Sequence, residues 1–395
     1  MGFPAEVACP SNLSGLTDFD LSRGFLPSED PLMRLPGSFD KWEEIAGNLP
    51  KILTTDKIRQ VVESLPPFET SELVEKREFE RAMVILSYLG HAYVWGAPNP
   101  PNRIPRQLAV PWYEVSRQLG RPPVLSYSSY ALNNWRRFDP GGPIALGNIS
   151  LIQNFLGGLD EEWFILIHVD IEAKAQPALS SIVSAQEAVR SGHISALEGY
   201  LTTTASSLNL MCQTLDRMPE NCDPYIYYTR VRPYIHGWKD NPGLPEGLLY
   251  EGVQAYREKP QKFRGETGAQ SSIIPSLDAA LGIDHKDDPL RAYLMEMRDY
   301  MPPKHREFIQ TIEQGPSIRV FVIENREHHP GLRESYNRCV RLIERFRARH
   351  LEYAGRYIQK QSQHHPSNPT EVGTGGTPFM VYLKKHRDET STHLI

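Results

Sequence analysis

Hydrophobic residues in this chain recur mostly at steps of three and four, and seldom alternate. That period turns each run of them onto one face of a helix and leaves little material for strands. From Gly331 onward, Leu332, Tyr336, Val340, Ile343, Phe346, His350, Ala354, Tyr357 and Ile358 share one face of an amphipathic helix, with arginine, glutamate and glutamine on the others. Residues 70–95 give a second long helix with Leu73, Phe79, Met83, Val84, Leu86, Tyr88 and Leu89 as its buried stripe. The segment WFILIHVDIEAKA is apolar nearly all round, as a central helix is, and Asp160 is placed to cap it with Glu161 and Glu162 in its first turn. Further helical patterns fall at 179–189, 193–217, 224–235, 271–282, 287–300 and 302–314. SIRVFVIE, residues 317–324, is the best strand imitation, but it sits between helical patterns and could continue one.

The 33 prolines act as punctuation between these stretches, and Pro27, Pro31, Pro36 and Pro50 break residues 1–65 into short helices and loops. The expected fold class is therefore mostly α. At 395 residues the chain exceeds what one core usually supports. We expect a small amino-terminal domain with little β structure, residues 1–152, and a large helical domain, residues 153–395.

Composition narrows the partners. A net charge of −5 gives no reason to expect nucleic acid or an anionic membrane. The start, MGFPAEVACPSNLSG, has neither the basic flank nor the apolar core of a secretory signal, and no run of 18 apolar residues spans a bilayer. Four cysteines, at 9, 212, 222 and 339, form no CxxC pair, which suits a reducing cytoplasm. The sequons at Asn12 and Asn148 then read as chance matches.

Two histidines stand in apolar surroundings. His350 lies in the middle of the greasy row of its helix, one turn after Arg347, and His168 lies within FILIHVDIEAKA. A buried imidazole left without a partner costs about 1–3 kcal/mol, so each needs a carbonyl, a hydroxyl, a carboxylate or a metal. Glu172, one turn after His168, is a candidate partner. Arg232, among the aromatic residues of YIYYTRVRPYIHGW, needs a carboxylate from the protein or from a ligand. Residues 362–378, rich in Gly, Pro, Ser and Thr, read either as a plain linker or as a lid. GTGGT at 373–377 lacks the spacing of a phosphate loop. The doublets His328-His329 and His364-His365 lack ligand spacing and read as solvated.

In order and spacing, GFLPSEDPL (24–32), NNWRRFDP (133–140), GWKDNPGLPEGLLYEGV (237–253), GAQSSIIPSLDAALGI (268–283), RDYMPPKHREFI (298–309), RARHLEYAGRYI (347–358) and GTGGTPFM (373–380) resemble the indoleamine 2,3-dioxygenase family of haem enzymes. The resemblance runs from about residue 20 to 385. It implies a small domain over a large helical one, with haem b between them, ferrous when active. It implies cleavage of the indole C2–C3 bond of L-tryptophan, or a related indole, by O2 to give N-formylkynurenine at the entry to the kynurenine pathway, with an electron donor keeping the iron reduced. By the same resemblance His350 is the axial ligand to the haem iron, and Arg347 meets a haem propionate or the acidic group at Asp278. Thr267 and Gly268 fall beside the haem edge, and Arg232 meets the substrate carboxylate. Tyr127, Tyr130, Phe164, Tyr227 and Tyr228 line the pocket, and Thr374 belongs to the closing loop. His168 stands where mammalian members carry serine, and matches in role the distal histidine of the related tryptophan 2,3-dioxygenases, which accepts the indole N–H.

Overall fold

A computed structural model describes residues 20–362, 373–374 and 379–395 of the chain. Cys9, the Asn12 sequon, the His364-His365 doublet and most of the 362–378 loop lie outside the described residues. The fold is mostly helical, as the periodicity dictates. Among the described residues the strands are short pairs only: Arg103–Ile104 runs parallel to Leu249–Tyr250, and Trp135–Arg137 antiparallel to Ile149–Leu151.

The 70–95 pattern becomes a short turn at Thr70–Glu72 and a helix at Lys76–Trp95. Glu75 and Glu78 exchange side-chain and backbone hydrogen bonds at its start, satisfying amides that the first turn leaves open. Its residues Arg81 to Val94 are buried on every face, a wider burial than the single stripe expected. Arg81 is tolerated inside because Glu43, equally buried, lies 2.6 Å away.

The central helix is longer than the sequence suggested. Leu159–Ser191 is continuous through Pro177, joining the segments around 160 and 179–189. Pro177 lacks only the one N–H that would reach Ala173, and close burial on both sides outweighs that loss. Its start also differs from expectation. Gly158 occupies the cap position, Asp160 instead accepts the Asp223 N–H at 2.6 Å, and Glu161 folds back to accept the amides of Phe155, Leu156 and Gly157. SIRVFVIE is helical too, at Ile318–Asn325, with the Ser317 hydroxyl accepting the Val320 N–H. Its buried residues, Ile318 and Val322, are four apart, so tertiary packing selects the helical reading of an ambiguous short run.

Among the described residues two apolar cores form. The first gathers Trp42, Tyr88, Trp112, Trp135, Trp238 and Tyr250, and takes in residues between 234 and 253 as well as the amino-terminal elements. The second is built where Leu159–Ser191, Ile194–Asp216 and Pro330–Ala354 meet, through Ile182, Leu201, Leu208, Val340 and Ile343. Phe164 packs against both, which marks the seam between them. Among the described residues no helix is long and apolar enough to cross a membrane.

Candidate active site

The seam holds the two histidines. His350 belongs to the last turns of the Pro330–Ala354 helix, whose apolar row Leu332, Tyr336, Val340 and Ile343 is fully buried below it. Its ring is accessible, yet surrounding protein desolvates it enough to lower its pKa to about 4. A group both accessible and enclosed faces an internal space. His168 adds to the same lowering, so the two imidazoles lie within electrostatic reach of one another. No hydrogen bond joins the His350 ring to any described residue.

Arg347, one turn earlier, is committed elsewhere. Of the two partners expected for it, the structure supplies Asp278, at 2.5 Å, and adds the hydroxyl of Thr390. Burial alone would raise the Asp278 pKa, but Arg347 and His285 hold it below the usual carboxylate range. The group extends through His285, whose Nδ1 lies 2.8 Å from Glu389. This network anchors the His350 helix to the Ile273–Leu281 and Phe379–Ser391 helices.

His168 is half-buried, and its Nδ1 lies 2.7 Å from the Phe164 carbonyl one turn back. That contact replaces the expected partnership with Glu172, which accepts instead from the hydroxyls of Tyr127 at 2.9 Å and Ser271 at 2.8 Å. A carbonyl can only accept, so Nδ1 carries the proton and Nε2 keeps its lone pair. Burial also depresses the His168 pKa, so the ring is neutral near pH 7. Phe164 stands 4.9 Å from His168 and 4.7 Å from Tyr227 by ring centroids, with Tyr130 at 6.4 Å. Tyr127 completes the wall at 6.0 Å from His168.

Two of these aromatic positions, and that of Tyr228, come from widened turns. Tyr130 lies in a π turn at Ser128–Leu132, and Tyr227 and Tyr228 lie in another at Tyr227–Val231. Widened turns of this kind commonly mark functional sites. The second passes directly into a tight 3₁₀ turn at Arg232–Ile235, where Pro233 cannot supply the N–H that a regular helix needs. The change of pitch carries Arg232 fully inside, with its guanidinium 5.7 Å from the Tyr228 ring.

The edge of the site is made by two backbone segments in contact. A Cβ on Gly237 would lie 2.1 Å from the Gly265 nitrogen, and one on Gly265 would lie 2.2 Å from the Gly237 nitrogen, so only glycine fits at either position. The Glu266 N–H donates to Ile235, while the Thr374 hydroxyl donates to the Glu266 carbonyl at 2.6 Å. Thr374 thus sits against this seam. Thr267 caps the short turn at Gly268–Gln270, and a Cβ on Gly268 would meet open space.

These features fit a haem. Among the described residues no group of three or more His, Cys, Asp or Glu is arranged to hold a bare metal ion. A lone enclosed imidazole therefore needs a group that brings its other ligands with it, as a porphyrin does. The apolar walls and the open side at Gly268 leave suitable surroundings for such a group.

A family model for indoleamine 2,3-dioxygenase matches residues 15–393. The chain belongs to the indoleamine 2,3-dioxygenase family. It is 40% identical to indoleamine 2,3-dioxygenase 1 of Rattus norvegicus, with 92% of each chain covered. It is 34% identical to the indoleamine 2,3-dioxygenase of Saccharomyces cerevisiae, covering 93% of this chain and 90% of the relative. A 6-hydroxytryptophan 2,3-dioxygenase of Fusarium equiseti is 32% identical, with 93% and 95% covered. Membership of the indoleamine 2,3-dioxygenase family makes this chain a haem-dependent oxidoreductase.

Sequence reasoning missed two buried acids beside the pocket. Glu172 appeared only as a partner for His168, and burial raises its pKa to about 7. Glu266 was passed over entirely. It is buried, burial raises its pKa to about 8, and no described residue donates to its carboxyl. The signal available was local: a glutamate between Gly265 and Thr267 in a stretch of small residues, where a long acid has no helical face to be exposed on.

Proposed function

We propose that this enzyme opens the C2–C3 bond of the indole ring of L-tryptophan with O2 and yields N-formylkynurenine, using ferrous haem b held by His350. The observation that carries this reading is the His350 imidazole itself: enclosed, reachable, partnerless among the described residues and within electrostatic reach of His168. Haem, when bound, supplies the iron centre that activates dioxygen. The chain's own residues bind, orient and enclose the substrate. Arg232, fully buried, offers a charge-assisted contact to the carboxylate. Phe164, Tyr227 and Tyr130 sandwich the indole, and the free lone pair on His168 Nε2 accepts its N–H. Thr374, hydrogen-bonded to the Glu266 carbonyl, helps to exclude water from the amino-acid end.

In this reading residues 1–152 cover the distal side, residues 153–395 hold the haem, and an electron donor keeps the iron ferrous. Cys212, Cys222 and Cys339 are all free and buried, which supports a reducing, cytoplasmic setting. A second reading, oxidation of a ring-hydroxylated indole, draws support from the Tyr130 hydroxyl, sealed in without a partner, and from the 6-hydroxytryptophan-cleaving relative. Turnover of L-tryptophan against hydroxylated tryptophans separates the two. The reduced, carbon-monoxide-treated protein tests the haem assignment. Wild type gives a Soret band, whereas His350→Ala retains little or no haem; an unchanged band in the variant refutes the ligand assignment.

A further inference from the structure

We propose that Glu266 is the group that recognises the substrate's ammonium, so that the pocket selects a zwitterionic indole amino acid over an indole acid. This inference rests on the reading of the pocket given above and adds a specificity-determining residue to it.

The placement of Glu266 is fixed by its backbone. Its N–H is held by Ile235, its carbonyl by Thr374, and its neighbour Gly265 is pressed against Gly237. The side chain is 4% exposed, so it cannot reach bulk water. Its charge bears on Tyr88, Tyr127, Tyr130 and Tyr227, which come from separate stretches of the chain and converge on the pocket. None of these hydroxyls hydrogen-bonds to it. Tyr127 donates to Glu172, and Tyr88 accepts from Asn134. The carboxyl is thus an acceptor with no described donor, on a backbone segment tied to Ile235 and Thr374 at the edge of the site.

Arg232 does not serve as its partner. No hydrogen bond or ion pair joins the two, although the Glu266 N–H is held by Ile235, three residues on from Arg232. Both groups act on the Tyr227 hydroxyl, so both belong to its surroundings. A buried cation and a buried acid that are not paired with one another form a template for a carboxylate and an ammonium on the same small molecule. An acid left without a donor is expensive in a protein interior, and an incoming ammonium would remove that cost while drawing the carboxyl into its ionised form. Neutral or acidic indoles would leave it uncompensated.

Calorimetric titration of the haem-loaded enzyme with L-tryptophan and with indole-3-propionate, which lacks only the amine, provides the test. Wild type should bind L-tryptophan about 30- to 100-fold more tightly, the worth of one charge-assisted contact in a buried site. In Glu266→Gln that preference should collapse, through a weaker L-tryptophan affinity and an unchanged or improved indole-3-propionate affinity. KM for L-tryptophan should rise with kcat changed only a few-fold. A merely structural role would weaken both ligands alike, and that result overturns the assignment. Equal affinities in the wild type overturn it as well, without any variant and whether or not Glu266→Gln folds. A variant that alters discrimination only between ring-hydroxylated tryptophans also overturns it. If neither ligand binds the haem-loaded wild type, the reading of the pocket itself fails, and the role of Glu266 with it.

Discussion

Replacing Asp278 with alanine should loosen the helix that carries His350. Asp278 and Arg347 are 2.5 Å apart with side chains only 13% and 9% exposed, so the pair is shielded from solvent. Removing the acid leaves a guanidinium enclosed, with the Thr390 hydroxyl as its remaining strong partner. Breaking a buried pair in this way costs about 3–5 kcal/mol. Because His285 also contacts Asp278, at 3.5 Å, the loss belongs toward the upper part of that range. Asp278→Asn keeps the shape and one acceptor and should lose about 1.5–3 kcal/mol. Urea denaturation followed by circular dichroism gives these values, and the double variant Asp278→Ala, Arg347→Met should be less damaged than the sum of its parts. The reduced carbon-monoxide spectrum should show lower haem occupancy in Asp278→Ala, since Arg347 lies one turn from His350. The acid also sets a pH dependence. The folded pKa of Asp278 is below the unfolded value near 3.8, so its contribution is complete above that value and is lost as pH falls through the folded one. A stability loss under about 1 kcal/mol, or strict additivity in the double variant, would refute the idea that this pair braces the proximal helix.

Two further outcomes concern the distal side. His168→Ser should retain haem but change the ratio of affinities for 1-methyltryptophan and tryptophan, because the methylated ring has no N–H to give to Nε2; an unchanged ratio removes His168 from indole recognition. Arg232→Ala should weaken L-tryptophan binding by several hundredfold or more, equivalent to about 3–5 kcal/mol for an unpaired buried carboxylate, and a loss below tenfold would assign the carboxylate to another group.

Much of the helical scaffold was legible because burial tracks period. The row from Leu332 to Ile343 is as buried as its spacing implied, whereas His350, further along the same row, stays accessible. What the sequence hid was phase. The helix that begins near Gly331 is regular only to Ala354 and continues as a π turn at Gly355–Gln359, and Tyr227 and Tyr228 owe their positions to a similar widening. Such turns leave no periodic trace, because one extra residue in a turn only rotates the face that the later residues present. Pairings across the fold were equally hidden. Nothing local joins Tyr127 to Glu172, or directs the His168 proton to Phe164 and away from an acid one turn later. The Arg347 and Asp278 pair came from resemblance, and the distance between them along the chain shows why composition could not have supplied it.

The contact of Gly237 with Gly265 ties the strand of chain leaving Arg232 to the one entering Glu266, with no side chain between them. The two segments are therefore welded and can shift only together. Evolution or engineering that sought a wider pocket could not obtain it by spreading this corner, since even a methyl group would force the anchoring points out of register. Change in substrate preference must come instead from exchanging what the corner displays.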